Sequence, residues 1–261
     1  MVGIVTTNED TYGGPAAALY DEFFPIDSRA LNTAAFLSGQ ARATGAAEPI
    51  ALDLGIGTGR VALPLSERGV KVFGVDLEPA MLDVLRTKPG ADRLHATLGD
   101  MTDADLLASA SEGVPYDLVY CVFGTLTALP DANAQRRCLA AAASVLAPAG
   151  RLVLEMPVPD LSSFDKQGRR VRHLGRRGDG TVLETGRLNL VTQTIEFEVS
   201  TLSPTTGVTM HSVHSRYVWP HELELMAELA GLQSLEQYGG YGGESFTRDS
   251  QVVVTVHIRQ H

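Results

Sequence analysis

The chain has 261 residues, 44% of them hydrophobic, with a formal net charge of -10 at neutral pH. That length suits one large domain or one domain with an appendage, and the apolar share is ample for a core. The charge argues against nucleic acid or an anionic membrane as a partner, because either would be repelled at long range. No uncharged apolar run approaches membrane-spanning length, and the N-terminus lacks a basic-then-apolar signal pattern. Cys121, in an apolar strand, and Cys138, in a helix, are expected to be reduced, buried thiols of a cytoplasmic protein.

In chain order, residues 1–45 come first. They hold Tyr12 and Tyr20, then a helix-like stretch from Ser28 to Ala43. Tyrosine combines an apolar ring with a polar tip, which suits a lid over a ligand; both rings could equally staple the first helices to the core. A strand at 50–54 then runs into Asp53-Leu54-Gly55-Ile56-Gly57-Thr58-Gly59-Arg60, and a helical pattern follows over 60–68. Strand, glycine turn and helix form the unit with which open α/β sheets hold nucleotide-like ligands. The glycines let the backbone approach such a ligand closely. A dinucleotide fingerprint starting at Gly55 would need glycine where Arg60 stands, and there is no Gly-Lys-Ser/Thr of a phosphate loop.

A second strand, 71–75, ends at Asp76, ahead of a helix over 79–87. A carboxylate at that tip can accept from two ribose hydroxyls. The alternative is that Asp76 caps the helix. A third strand, 94–98, closes on Gly99-Asp100-Met101, which by itself reads as a turn. Strands at 117–123 and 151–156 flank an alanine-rich helix over 132–147 that stops at Pro148-Ala149-Gly150. Strands alternating with helices predict a parallel sheet covered on both faces.

After Pro157 the pattern turns to β-branched runs between turn residues, which predicts antiparallel hairpins over 160–217. Arg169, Arg170, Arg172, Arg176 and Arg177 cluster here, either on a solvated hairpin or facing a phosphate. His211 and His214 fall on opposite strand faces, and no carboxylate or cysteine grouping completes a metal site. A helix starts at Trp219-Pro220 and ends at Gly231, and a final strand covers 251–258. The expected organisation is a single domain over 1–261: a helical lid (1–45), a ligand-binding core (46–158), a β insertion (159–218), and a helix and strands completing the sheet (219–261). The insertion is also a candidate subunit contact for a homo-oligomer.

The form D-x-G-x-G-x-G starting at Asp53 resembles motif I of the class I S-adenosylmethionine (SAM) methyltransferases. Taken with Tyr-x7-Tyr-Asp, Val-Asp-Leu, Gly-Asp-Met and Tyr-Asp-Leu-Val, the chain resembles the small-molecule N-methyltransferases of actinobacterial natural-product pathways. The resemblance implies a Rossmann-like sheet with an N-terminal helical lid and an antiparallel β insertion, SAM as cofactor, and a small-molecule amine as substrate. It implies cofactor contacts from Tyr12, Tyr20, Asp53, Gly55, Gly57, Gly59, Asp76, Leu77, Met81, Asp100, Met101 and Cys121, with Asp100 beside the adenine amino group. Tyr12, Tyr20 and Phe123 would fall on the residues around the reacting centre.

Two branches are near, one acting on nucleotide-linked amino deoxysugars and one on lincosamide antibiotic precursors. The sugar branch has Glu-Pro-Trp-Trp after the fifth strand, where this chain has Glu155-Met156-Pro157-Val158. It often has a histidine where this chain has Ala128. Both departures favour the lincosamide-like branch. SAM carries the activated methyl, so alignment of the two reactants is the protein's task. Aromatic faces also favour a sulfonium. Glu155, His173 and Tyr20 are candidate proton acceptors. The competing classes are a catalytically silent SAM-binding module and a nicotinamide-dependent oxidoreductase, the latter disfavoured by Arg60.

Overall fold

The computed structural model describes residues 13–260, so Tyr12 lies outside the described residues. Five parallel strands form the centre: β1 (Ile50–Leu54), β2 (Lys71–Asp76), β3 (Leu94–Leu98), β4 (Tyr116–Cys121) and β5 (Leu146–Pro157). A separate antiparallel sheet follows, β6 (Arg169–Arg177), β7 (Gly180–Asn189), β8 (Thr194–Ser203) and β9 (Gly207–Arg216), in that spatial order. The chain then returns with β10 (Leu232–Tyr238) and β11 (Val252–Arg259), giving a seven-stranded main sheet of order β10-β11-β5-β4-β1-β2-β3. Only β11 runs against its neighbours, β5 and β10. This is the Rossmann-like sheet with an antiparallel insertion that the resemblance implied.

The central strands are apolar on both faces because both faces are covered. Leu52 and Leu54 join the core beneath helix α6 (Ala132–Val145), while Ala51 joins Leu37 of helix α2 (Ser28–Arg42) on the other side. Helix starts follow local chemistry: Asp27 accepts from Ala30 N at 3.0 Å and Asp131 from Ala134 N at 2.8 Å. Helix α1 (Gly14–Phe23) precedes them, and α4 (Pro79–Arg86) follows β2.

Several bounds differ from the sequence reading. The helix expected over 60–68 is the short α3 (Ala62–Ser66), because the glycine turn extends to Gly59 in a left-handed conformation, φ 80°. Helix α5 (Ala104–Ala110) was not expected; the Asp103 carboxylate starts it by accepting from Asp105 N and Leu106 N, both at 3.1 Å. β4 stops at Cys121 rather than 123, since Phe123 turns out of the strand with φ 56°. β5 begins at Leu146, with Pro148-Ala149-Gly150 inside an irregular first turn of strand where the register to β4 shifts. No helix among the described residues is long and apolar enough to cross a membrane.

The insertion is fastened to the main body through Arg216, which is buried at the end of β9. Its Nη1 donates to Gln135 Oε1 on α6 at 2.6 Å, and its Nη2 to Glu222 Oε1 at 2.7 Å on helix α7 (Pro220–Leu229). Gln193 Oε1 accepts from the same Nη2 at 3.0 Å. Removing one partner of a buried ion pair strands the other charge. Arg216→Ala should therefore cost about 3 kcal/mol, the low end of that range because Glu222 keeps some water. Urea unfolding of the variant measures it.

Candidate active site

A cavity of about 260 Å³ opens at the C-terminal ends of the parallel strands, where the strand order reverses between β1 and β4. One end is built by Gly55 and Gly57 of the glycine turn, Asp76, Leu77 and Met81 at and after the tip of β2, and Asp100 and Met101 after β3. The other end is walled by Tyr20 of α1, by Phe123 to Thr125 after β4, and by Phe197, Val213, His214 and Ser215 of the insertion.

The turn is locked to β2. Gly55 N and Ile56 N donate to Val75 O at 2.9 and 3.0 Å, and Gly57 N donates to Asp76 Oδ2 at 2.7 Å. Asp76 Oδ1 accepts from Glu78 N at 2.9 Å. The side chain that caps α4 is Glu78, whose Oε1 accepts from Ala80 N at 3.2 Å, so the capping alternative for Asp76 does not hold. Burial raises the Asp76 carboxyl above its ordinary range, while the amides of Glu78 and Gly57 oppose the shift.

The alternate glycines differ in duty. At Gly59 (φ 80°) a side chain would overlap Leu85 and crowd Leu63, so this glycine serves packing. At Gly57 (φ 53°) the nearest atoms to a Cβ would be Met81 Cε at 3.7 Å and Asp76 Oδ2 at 3.9 Å, so the Cβ would project toward the cavity.

Three residues expected at the cofactor do not line the cavity. Gly59 is held in the packing just described. Cys121 is fully buried among Leu126, Cys138 and Leu139 on the α6 face of the sheet, and burial pushes its thiol well up. Asp53 lies beneath the turn, where burial pushes its carboxyl up to about 8, the Tyr120 hydroxyl opposing and the Asp76 charge adding.

Helix α1 is pinned to both ends. Asp21 of α1 accepts from Thr58 Oγ1 at 2.7 Å and pairs with Lys88 at 2.6 Å. The next residue, Glu22, accepts from Arg177 Nη2 of the insertion at 2.7 Å. The Tyr20 ring packs on Phe24 with centroids 4.9 Å apart.

Phe123 is held from several sides. Its N donates to Glu155 Oε2 at 3.0 Å, and the Arg60 and Arg29 guanidinium carbons lie 4.0 and 4.5 Å from its ring centroid. Glu155 is buried, with a 2% exposed side chain, and also accepts from Tyr241 Oη and Arg29 Nη2. It lies outside the cavity wall, as does the exposed His173 on β6. Of the three expected proton acceptors only Tyr20 reaches the cavity. The sequence reading missed Phe197, Val213, His214 and Ser215, which carry no local motif and arrive only through the fold. No cluster of metal-ligating side chains occurs among the described residues.

These residues fit a nucleoside-linked methyl donor: carboxylates at Asp76 and Asp100 can take hydroxyl and amino donors, and Gly57 leaves space beside them. Two outcomes follow. Gly57→Val should abolish SAM binding with the fold retained, and Asp76→Ala should weaken binding by about 1.5–3 kcal/mol, both read by calorimetry. A third concerns Asp53, which keeps its proton up to about 8 when folded and loses it near 3.8 as an ordinary carboxyl. The folded state thus holds the extra proton, and stability falls as pH rises through that window, by at most about 1.4 kcal/mol per pH unit. Asp53→Asn should remove this slope from unfolding measured at pH 5 to 8.

Residues 51–150 match the model of a family described as "Methyltransferase domain". The chain is 29% identical over 215 residues to the cypemycin N-terminal methyltransferase of a Streptomyces species, covering 80% of this chain and 82% of that protein. The CcbJ methyltransferase from Streptomyces caelestis superposes with a TM-score of 0.85 at 29% identity, over 96% of this chain and 98% of that one. SAM-bound CalS10, an amino pentose methyltransferase from Micromonospora echinaspora, shares the fold at 24% identity and a TM-score of 0.67, over 93% and 97%. Motif turn, carboxylate tip, cavity and relatives agree: residues 51–150 are a methyltransferase domain, and the chain is a SAM-dependent methyltransferase.

Proposed function

We propose that this methyltransferase transfers one methyl group to the ring nitrogen of a proline-like amide conjugate, an N-demethyl-lincosamide antibiotic precursor. The observation that carries this reading is the character of the acceptor end. Phe123, Leu129, Phe197 and Val213 line it, and no Arg or Lys lines the cavity among the described residues. A nucleotide-linked sugar would bring a diphosphate, for which arginine forks are the usual partners. Three arginines of the insertion are engaged elsewhere: Arg170 with Glu184, Arg177 with Glu22, and Arg176 with Asp179 O. A relative named as an N-terminal methyltransferase supports transfer to nitrogen.

SAM supplies a methyl already activated by its sulfonium. The protein's part is to hold a neutral amine in line with it in a site that excludes water. Tyr20 and Phe123 wall the point where the two reactants meet, and Gly57, Asp76, Asp100 and Met101 hold the donor. Tyr12, the second lid tyrosine of the sequence reading, stays part of this proposal although it lies outside the described residues. The insertion exposes Val171, Val208 and Met210 on one face, and a second copy of the chain is its proposed cover. A monomer mass in light scattering would remove that assembly.

The amine must be unprotonated, so kcat/KM should rise with pH until the free amine dominates. Phe123→Ala should lower kcat about tenfold or more while SAM affinity stays within about twofold, because the ring positions the acceptor. The deciding comparison offers N-demethyl-lincosamide and a thymidine-diphosphate amino sugar at equal concentration. Preference for the sugar overturns the acceptor assignment, and SAM binding without turnover on any amine would leave a silent module.

A further inference from the structure

β9 is an outer strand of the insertion, so among the described residues one of its hydrogen-bonding edges has no strand neighbour. Parity decides which residues point outward. Tyr217 N donates to Gln193 O at 3.0 Å, one step beyond the register in which Thr194 faces Arg216 and Glu196 faces His214. Bonded and non-bonded pairs alternate along an antiparallel ladder. With Gln193 and Tyr217 bonded, the pairs Ile195–Ser215 and Phe197–Val213 are bonded too, and Arg216 and His214 turn their main-chain groups away from β8. Arg216 bears this out, since its carbonyl oxygen accepts from Gln135 Nε2 of α6 at 3.0 Å.

His214 is the next outward residue, and there β9 borders the cavity rather than a helix. Among the described residues nothing bonds to its main-chain N–H or carbonyl. Its side chain is fixed elsewhere, with Nδ1 2.6 Å from Glu196 Oε1 and Nε2 3.3 Å from Pro130 O. The strand therefore presents one donor and one acceptor on an edge that borders the cavity.

We propose that these two groups recognise an α-aminoacyl unit, N–Cα–C=O, in the methyl acceptor. Such a unit matches a residue in the bonded pair of an antiparallel ladder, which exchanges both hydrogen bonds with its partner. His214 N–H donates to the α-carbonyl oxygen of the acceptor. The single N–H of the neutral secondary amine donates to the His214 carbonyl, leaving the nitrogen lone pair free for the methyl. Phe197 and Val213 flank this edge and pack on an apolar ring. A sugar amine has no α-carbonyl and makes only half of the pair. The inference rests on the amine-methylating reading above and narrows its substrate class.

The test compares L-prolinamide with a 2-alkylpyrrolidine of similar size, as kcat/KM per free amine, in three proteins. Wild type should favour prolinamide about tenfold, the worth of one hydrogen bond. His214→Pro removes the outward N–H at an edge position where proline breaks no ladder bond, and should erase the preference. His214→Ala deletes the side chain but keeps the N–H, and should retain it. Equal preference in His214→Pro and wild type overturns the proposal while amine methylation stands. So does wild type with no preference, a measurement that needs no variant to fold. Wild type that methylates no amine at all overturns the parent reading and this one with it.

Discussion

The carboxylate of Glu155 holds the acceptor end of this molecule together. It sits at the tip of β5, buried, and takes donors from three parts of the chain: the Phe123 amide after β4, the Tyr241 hydroxyl from the loop between β10 and β11, and the Arg29 guanidinium of α2. Hydrogen bonds to an ionised buried group are among the stronger ones available to a protein. They are needed here because Phe123 adopts a left-handed backbone, which costs a non-glycine residue about 1–2 kcal/mol. Glu155 thus builds the wall that Phe123 forms, and this occupation explains why it stands outside the cavity.

At the donor end a second carboxylate plays the equivalent part. Asp76 binds the glycine turn through Gly57 N and the start of the next helix through Glu78 N. Both oxygens keep lone pairs beyond those two amides, so the same group can organise the turn and still meet hydroxyl donors. Helix α1 spans the two ends by placing Asp21 on Thr58 and Lys88 and Glu22 on Arg177. The helix is thereby tied to the glycine turn and to the insertion by two adjacent side chains.

The insertion does more than lengthen the chain. Arg216 anchors it to α6 and α7, and that anchorage sets how the free edge of β9 meets the cavity. The fold is shared with solved methyltransferase structures, and β8 and β9 add Phe197, Val213, His214 and Ser215 to the cavity wall. Under the proposed function, acceptor choice falls to the insertion and Phe123, and cofactor binding to the strand tips of the parallel sheet.

Local sequence determined the donor half of the protein. Apolar runs of five or six residues marked β1, β2 and β3, and glycines and carboxylates at fixed offsets from them marked the turn, Asp76 and Asp100. These are short-range features, and a strand, its following turn and its tip residue stay together whatever the rest of the chain does. Asp53 and Gly59 sit in the same run of sequence and Cys121 ends β4, yet a strand alternates faces and a turn has an inside, so each was directed into the core instead. Only the tertiary structure decided the acceptor half. Phe197 and His214 lie far along the chain from Phe123, on strands whose exposed residues follow no clean alternation. What brings them to one cavity is a buried arginine, an edge strand and the parity of its ladder, and none of these is written in any short window of residues.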